Sequence, residues 1–322
     1  MKPAIQLYLA PFQGITTHTF RRVYARYFQN VTKYYTPFFA KIDHVSRIST
    51  RKANELQHLT ISTAEIVPQI LSKDAAEILR FAHICASLGF KELNWNLGCP
   101  YPQVADKKRG SGMLPYPDMI SDILDHVMPS MPIRFSIKCR LGYAKPDEFN
   151  ALIPVFNAYP IHELAVHTRV GKQLYSGETH KEFLLGVLPL IKVPFVYNGD
   201  IFSADDFYRL SSMMPNVERW MIGRGILGNP FLPDEIYKTG NHANRKETLQ
   251  RFMDDLYYGY RSDMSDRLTL LNVLKEYWDY LFTWFDNPDK VKRIIKKAKS
   301  FDEYEDAVKR IFQEFDESKL PE

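Results

Sequence analysis

The sequence predicts a (β/α)8 barrel over residues 1–240, followed by a small all-helical domain over residues 241–322. Two observations carry this prediction. Short apolar runs alternate with amphipathic runs up to about residue 240, and no strand-like run follows that point. Parallel strands buried on both faces have this continuous apolar character. Eight of them separated by helical segments fit one closed barrel.

Each predicted strand is a short run that is mostly apolar or β-branched. In order they are Ile5–Ala10, Val31–Pro37, Glu65–Ile70, Glu92–Leu97, Ile133–Cys139, Glu163–Thr168, Pro194–Asn198 and Arg219–Ile222. Amphipathic segments such as Asp74–Leu88, His180–Ile191 and Ala204–Met214 lie between them and predict helices. Phe39–Thr63 is polar and weakly periodic, and we interpret it as an extended loop.

The C-terminal domain is predicted from helical periodicity alone. Its helices are Arg245–Tyr260, Asp266–Phe285, Asp289–Ser300 and Asp302–Phe315. This part of the chain has 15 Lys and Arg against 17 Asp and Glu, whereas the first 240 residues have 27 against 21. The basic run Lys290–Lys299 fits either phosphate contacts or a solvated helix face. Tyr277, Trp278 and Tyr280 fit either a helix-packing core or a stacking surface.

Composition narrows the class of protein. At 322 residues, 45% hydrophobic and 25% charged, the chain has the composition of a soluble globular protein. No apolar run reaches membrane-spanning length, and the N-terminus lacks signal-peptide features. The three cysteines, Cys85, Cys99 and Cys139, have no zinc spacing and are odd in number, so we expect a reducing cytoplasm and no metal site. The net charge of +4 permits an acidic partner without requiring one, and no stable protein partner is implied.

Reactive and polar residues cluster at the predicted strand ends, where barrel active sites form. Lys138 ends an apolar strand and can place a positive charge, or a Schiff-base amine, in the barrel mouth. Gln69 and His167 are hydrogen-bonding groups at two other strand ends. Gly199, Gly223 and Arg224 follow the last two strands, where barrels often bind phosphate.

Cys99 lies between Gly98 and Pro100, in a turn that leaves its strand. We expect an accessible thiol there. Cys85 falls on an apolar helix face, and Cys139 alternates away from Lys138 along its strand. Cys99 is therefore the cysteine predicted to carry chemistry.

The motifs at these strand ends resemble those of the tRNA-dihydrouridine synthases in order and spacing. The shared segments are Leu9–Thr16, Pro68–Ile70, Glu92–Pro100, His167–Arg169, Tyr197–Ile201 and Ile222–Gly225. Asn-x-Gly-Cys-Pro at residues 96–100 is the most specific of them, and Gly112 extends it. The resemblance covers the barrel, about three quarters of the chain.

The resemblance implies an enzyme that binds FMN and tRNA and uses NADPH as reductant. Reduced flavin would deliver hydride to C6 of a uridine, and Cys99 would protonate C5 from the opposite face. Asn96 would lie near the flavin and the substrate base, and the C-terminal helices would bind the tRNA. The residues that the resemblance assigns to FMN are Pro11, Phe12, Gln13, Gln69, Lys138, His167, Asn198, Gly199, Asp200, Gly223 and Arg224.

The chain departs from the family pattern at Phe12, where methionine is common, and at Thr17, where an acidic residue is common. Three other functions stay open at this point. They are an FMN barrel enzyme acting on a free pyrimidine, a cofactor-free aldolase using Lys138, and a tRNA-binding protein with a degenerate barrel. The helical tail, together with Gln69, Cys99 and Arg224, disfavours them.

Overall fold

The computed structural model describes residues 5–42, 50–57, 59–239, 243–263 and 267–318. Within them the strands are β1 (Gln6–Leu9), β2 (Lys33–Tyr35), β3 (Thr60–Ile61), β4 (Ala64–Val67), β5 (Gln69–Ile70), β6 (Glu92–Leu97), β7 (Arg134–Arg140), β8 (Leu164–His167), β9 (Phe195–Asn198) and β10 (Arg219–Ile222). The helices up to residue 237 are α1 (His18–Tyr27), α2 (Thr50–Asn54), α3 (Ala75–Ser87), α4 (Pro102–Ala105), α5 (Pro117–Val127), α6 (Phe149–Asn157), α7 (Lys181–Val187), α8 (Ala204–Met213), α9 (Arg224–Gly228) and α10 (Leu232–Tyr237). They are followed by α11 (Arg245–Asp263), α12 (Arg267–Leu281), α13 (Pro288–Lys297) and α14 (Phe301–Glu314).

The sheet is a closed barrel of eight parallel strands. Parallel pairing runs through β4, β2, β1, β10, β9, β8, β7, β6 and β5. β4 and β5 are two halves of one strand interrupted at Pro68, which has no N–H to donate. Its carbonyl still accepts a hydrogen bond from the Asn94 N–H at 2.9 Å. Because β4 pairs with β2 and β5 pairs with β6, the sheet closes on itself, and the predicted fold class is confirmed.

Each of the eight predicted strands overlaps a strand of the barrel, and the Glu92–Leu97 prediction matches β6 residue for residue. α3 also begins where predicted, because the Asp74 side chain accepts hydrogen bonds from the N–H groups of Ala76 and Glu77. The prediction of an extended loop over Phe39–Thr63 is wrong in its described part. That part contains α2, and β3 pairs antiparallel with β4. Its polar hairpin lacks the apolar run on which strand prediction depends.

The chain forms two compact units. The first comprises Met1–Pro11, Val31–Asp200 and Leu210–Ile222, and it contains the whole sheet. The second comprises Phe12–Asn30, Ile201–Arg209 and Gly223–Glu322. The predicted domain boundary at 240–241 lies outside the described residues, as does Asp266, where one helix was predicted to begin.

The second unit is built on aromatic packing between helices. The Phe252 ring of α11 makes edge-on contacts with Phe20 and Tyr24 of α1 and with Tyr277 of α12. Tyr277 and Trp278 are buried, so the core interpretation of these two aromatics is confirmed. The four predicted tail helices correspond to α11–α14.

Among the helices of the described residues, none combines the length and the apolar character needed to cross a membrane.

Candidate active site at the C-terminal ends of the strands

Strand register places several predicted site residues side by side in the first unit. Asn96 of β6 pairs with Lys138 of β7, and His167 of β8 pairs with Asn198 of β9. Arg140 of β7 lies opposite His167. The C-terminal ends of β6 to β9 thus bring an amide, a lysine, an arginine and a histidine to one edge of the barrel, as the sequence predicted for all except Arg140.

A tight turn holds Cys99. The Asn96 Oδ1 atom accepts hydrogen bonds from the backbone N–H groups of Gly98 and Cys99, both at 2.9 Å. The Cys99 carbonyl accepts from the N–H of Ser111 at 3.0 Å and from its hydroxyl at 3.1 Å. Gly110 has a φ of +55°, and a Cβ there would lie 2.6 Å from the Cys99 carbonyl oxygen. Gly110 therefore lets the 3-10 turn Gly110–Met113 pack directly against Cys99.

The expectation of an accessible Cys99 thiol is wrong. The residue is only 7% exposed, because the Gly110–Met113 turn covers it. Burial raises the pKa of the thiol, while a hydrogen bond from the Tyr101 backbone and the positive charges of Arg140 and Lys138 act in the opposite direction. The net shift is upward, so Cys99 keeps its proton at neutral pH. This arrangement suits an acid better than a thiolate nucleophile.

Lys138 is the cation of this cluster that lacks a partner. Its ammonium makes no hydrogen bond or ion pair with any residue in the described part of the chain. Burial and the positive charge of Arg140 lower the pKa of Lys138 to about 8. A lysine in this state either stabilises an anionic ligand or acts as an amine nucleophile.

Arg140 lies beside the predicted site residues and was not predicted as one of them from the sequence. Its Nε donates to the Gly98 carbonyl at 3.0 Å, and its Nη1 donates to the Val170 carbonyl at 2.9 Å. Burial lowers the pKa of Arg140 to about 10, with a smaller lowering contribution from Arg169. The available signal was its position two residues after Lys138 on one strand, which puts both side chains on the same face.

Gln69 and Asn96 form a pair of linked amides. The Asn96 Nδ2 donates to the Gln69 Oε1 at 2.7 Å, and the Gln69 Nε2 donates to the Asn94 Oδ1 at 2.8 Å. Gln69 is fully buried and Asn96 is 8% exposed. Both ends of each amide are therefore engaged within the protein. Their predicted contacts with flavin and substrate remain predictions.

The ends of β8 and β9 share a second hydrogen-bonded cluster. The Arg169 guanidinium forms a bidentate ion pair with Asp200, with both N···O distances 2.6 Å. The Arg169 N–H donates to the Nδ1 of His167 at 3.1 Å, which leaves the Nε2 of a neutral His167 to carry the proton. Gly199 has a φ of +156°, and a Cβ there would lie 2.2 Å from the Thr168 hydroxyl. The predicted residues His167 and Gly199 therefore lie at the ends of the neighbouring strands β8 and β9.

Asn198 and Pro11 are the other predicted residues of the first unit. The Asn198 Nδ2 donates to the Met221 carbonyl at 2.8 Å, which anchors the side chain to the neighbouring strand β10. Pro11 follows β1 and is half-buried.

The remaining predicted residues belong to the second unit. Phe12 donates its N–H to the Thr16 hydroxyl at 2.8 Å, and Gln13 is exposed. The Arg224 guanidinium lies 5.2 Å from the centre of the Phe202 ring, and Gly223 precedes α9. These contacts define local conformation, and the cofactor roles of the four residues remain predictions.

A contrasting charge cluster lies at the N-terminal ends of the strands in the first unit. The Lys33 ammonium contacts a Glu92 carboxylate oxygen at 2.7 Å and a Glu163 carboxylate oxygen at 2.8 Å. Burial lowers the pKa of Lys33, but the two carboxylates outweigh it and the net shift is upward. Glu92, His162 and Glu163 could also offer ligand atoms to a metal ion, but the Lys33 ammonium bridges the two carboxylates. This cluster is paired and structural.

Comparison with known proteins agrees with the motifs. The family model described as Dihydrouridine synthase (Dus) matches residues 8–316. The tRNA-dihydrouridine synthase B of Pasteurella multocida is 30% identical over 70% of this chain and 67% of its own. The tRNA-dihydrouridine(16) synthase of Vibrio parahaemolyticus is 24% identical over 91% of this chain and 92% of its own.

A solved morphinone reductase mutant has a TM-score of 0.48 and 9% identity over 72% of this chain and 86% of that one, which is too distant to bear on function. The decisive findings are the family match over nearly the whole chain and the cysteine turn with its amide and cationic neighbours. The chain belongs to the dihydrouridine synthase family.

Proposed function

We propose that this protein reduces specific uridines of tRNA to 5,6-dihydrouridine with FMN as cofactor and NADPH as electron source. The observation that carries the proposal is that a buried Cys99 thiol and a Lys138 ammonium without a partner among the described residues both lie at the C-terminal ends of the barrel strands. Family membership supplies the class of reaction. The two residues supply an acid and a positive charge.

The residues of the first unit fit a flavin. Lys138 has a positive charge and no counter-charge among the described residues. A reduced flavin carries negative charge near N1 and O2, which would complete that ion pair. Gly199 permits close backbone approach, and the Nε2 of His167 is a hydrogen-bond donor of the kind that ribityl and phosphate oxygens accept. When bound, FMN supplies the hydride that adds to C6 of the uracil ring.

Cys99 would donate the proton that completes the reaction at C5. Addition of hydride to C6 leaves an enolate, and a general acid must protonate it. The raised pKa keeps the Cys99 thiol protonated. Asn96 and Ser111 hold the backbone on either side of the sulfur through hydrogen bonds. Cys99 would thus be a protonated acid held in place by a hydrogen-bonded turn.

Exposed side chains around the Cys99 turn suit an RNA strand. Tyr101 and Tyr116 are 48% and 42% exposed, and the Lys108 ammonium lies 4.2 Å from the centre of the Tyr116 ring. Lys107 and Lys108 have no ion-pair partner in the described part of the chain. Aromatic rings with unneutralised lysines bind bases and phosphates of unpaired nucleotides. A target uridine has to leave its stack to reach the acid.

The other parts of the proposal concern the tail and the location. We assign tRNA binding to the helical domain 241–322. On α13, however, Lys290 pairs with Glu314, while Lys292 and Lys296 share Asp279. The paired lysines favour the solvated-face interpretation for part of that helix. Cytoplasmic location is supported by three free cysteines and by a tRNA substrate.

The test is spectroscopic and chemical. The purified protein should be yellow, with flavin absorbance that NADPH bleaches. With NADPH it should form dihydrouridine in tRNA that lacks this modification. A colourless protein that binds no added FMN would overturn the flavin assignment. A yellow protein that reduces free uracil or orotate, and leaves tRNA unchanged, would point to a small-pyrimidine reductase.

The lowered pKa of Lys138 also fits a Schiff-base amine. Treatment with a carbonyl substrate and borohydride distinguishes the two roles. The proposal expects no covalent adduct at Lys138. An adduct there would instead support aldolase chemistry.

A further inference from the structure

We propose that a buried chain of hydrogen bonds inside the barrel fixes the orientation of the Asn96 amide, and that Ser136 and Asn94 are thereby positioning residues for Cys99. We name this chain the amide relay, and its members are Glu92, Ser136, Asn94, Gln69 and Asn96. All of them belong to the first unit. The relay joins the paired charge cluster at one end of the barrel to the Cys99 turn at the other.

The relay is continuous. Ser136 donates its hydroxyl to the Glu92 carboxylate at 2.6 Å, and Asn94 donates its amide N–H to the Ser136 oxygen at 2.9 Å. Gln69 donates to the Asn94 oxygen at 2.8 Å, and Asn96 donates to the Gln69 oxygen at 2.7 Å. The Asn96 oxygen is then free to accept from the two backbone N–H groups of the Cys99 turn.

The two ends of the relay fix its direction. Burial raises the pKa of Glu92, while the Lys33 ammonium at 2.7 Å and the Ser136 hydroxyl favour its ionised form. An ionised carboxylate can only accept hydrogen bonds, and a backbone N–H can only donate. Between these ends, each of the four polar side chains donates toward Glu92 and accepts from the side of the Cys99 turn. Turning one amide over would bring two donors or two acceptors face to face. One orientation therefore satisfies every member.

Because the relay is buried, reversing the direction of its hydrogen bonds would leave polar groups without partners. Gln69, Asn94 and Glu92 are fully buried, and Ser136 is 1% exposed, so bulk water has no ready access to replace a lost partner. Lys33 holds Glu92 from the other side through the contact at 2.7 Å. The carboxylate that sets the direction is thus itself fixed in place. Ser136 and Asn94 can therefore affect Cys99 without contacting it.

The change that tests this idea is Ser136→Ala, which disconnects Asn94 from Glu92. The Asn94 amide then loses the acceptor that orients it, so the orientations of Gln69 and Asn96 are no longer fixed from the Glu92 end, and the Cys99 turn loses part of its anchoring. We expect alkylation of Cys99 by iodoacetamide at pH 8 to speed up about two- to tenfold, measured by peptide mass spectrometry. Hydrogen exchange of the Gly98 and Cys99 amides should speed up by a similar factor.

Cys85 and Cys139 are built-in controls. Both are fully buried, so global loosening would label them as well, whereas the proposal expects them to stay unlabelled. Ser136→Thr keeps a hydroxyl and should restore the wild-type rate at Cys99. Asn94→Leu interrupts the relay at the next member and should also accelerate labelling, which provides a second variant if Ser136→Ala does not fold.

Ser72→Ala is the matched control. Ser72 is a buried serine of the same unit that donates to a buried carboxylate, Glu77, at 2.5 Å, but among the described residues no hydrogen bond of its side chain leads to Asn96. It should leave Cys99 labelling unchanged. Wild-type labelling of Cys99 in both folded relay variants would overturn the proposal, and so would equal acceleration by Ser72→Ala.

The catalytic consequence rests on the proposed function, and the labelling test does not. If Cys99 is the acid, Ser136→Ala should lower kcat about two- to tenfold and leave the KM for tRNA unchanged. Ser136→Thr should restore kcat. Accelerated labelling in a protein without tRNA reductase activity would support the relay and overturn only the proposed function. An unchanged labelling rate in an active enzyme would overturn the relay and leave the proposed function intact.

Discussion

Two lysines inside one barrel show how position decides the use of a charge. Lys33, at the N-terminal ends of the strands, contacts two carboxylates, and its pKa is raised. Lys138, at the C-terminal ends, has Arg140 as its neighbour and no carboxylate partner among the described residues, and its pKa is lowered to about 8. The first charge is neutralised within the fold. The second has no such carboxylate among the described residues, and it lies at the end of the barrel where active sites form.

The largest expected effect is at Cys99, the proposed acid at the C-terminal ends of the strands. Cys99→Ala should lower the rate of dihydrouridine formation in tRNA about 100- to 10,000-fold, because a positioned general acid contributes that much. The flavin spectrum should be unchanged. Cys85→Ala removes an equally buried thiol from α3 and should keep near wild-type activity. Full activity of Cys99→Ala would show that Cys99 is not the acid.

The second-largest expected effect comes from removing the paired lysine, Lys33. Lys33→Met removes the ammonium that contacts both Glu92 and Glu163, and among the described residues it leaves these buried carboxylates with only Arg134 at 3.9 Å and Arg219 at 3.2 Å. We expect the free energy of unfolding in urea at pH 7 to fall by about 3–5 kcal/mol. A loss below about 1 kcal/mol would mean that the cluster is not the stabilising ion pair described above.

Substituting the unpaired lysine, Lys138, by methionine should change the free energy of unfolding in the opposite direction. Because the pKa of Lys138 is about 8 when folded, against 10.5 for an ordinary lysine, the unfolded chain binds more protons between these values. The stability penalty of Lys138 is therefore full below about pH 8 and is relieved as the pH rises towards 10.5. For the flavin-free protein, Lys138→Met should raise the free energy of unfolding by about 1–3 kcal/mol at pH 7.

Lys138→Met should also weaken FMN binding, measured by fluorescence titration, because the substitution removes the positive charge that the ligand would pair with. The gain in stability should disappear above about pH 10.5. Destabilisation of the flavin-free protein by Lys138→Met at pH 7 would contradict the contrast between the two lysines.

The smallest effect concerns RNA. Removing Lys107 and Lys108 together should weaken tRNA binding by several-fold at low salt, and should reduce the slope of log affinity against log salt by about 2. Filter binding across a salt series measures both. Lys91→Ala with Lys192→Ala removes two exposed lysines that precede β6 and β9 at the other end of the barrel, and should leave the slope unchanged. Equal slopes for the two double variants would exclude a local RNA surface.

The sequence was sufficient for the barrel because its strands are local apolar runs. Residues Glu92–Leu97 predict β6 without any knowledge of their neighbours. The candidate acid was equally visible, since Cys99 lies in a motif that follows this strand. Both predictions depend only on residues adjacent in the chain.

What the sequence could not show depends on distant partners. Lys33 meets Glu92 and Glu163 across 59 and 130 residues, so its paired state has no local signal. The burial of Cys99 comes from a separate turn at Gly110–Met113, and the predicted accessibility failed for that reason. The direction of an amide such as Asn94 likewise depends on a serine from another strand.

The covering of Cys99 also bears on the durability of the protein. Peroxides attack a cysteine as its thiolate, and they need to reach the sulfur. Cys99 is only 7% exposed and keeps its proton, so little thiolate forms and the sulfur is hard to reach. The Gly110–Met113 turn that buries the Cys99 thiol therefore also slows its oxidation to sulfenic acid, and Cys99 should survive aerobic handling better than a thiolate nucleophile would.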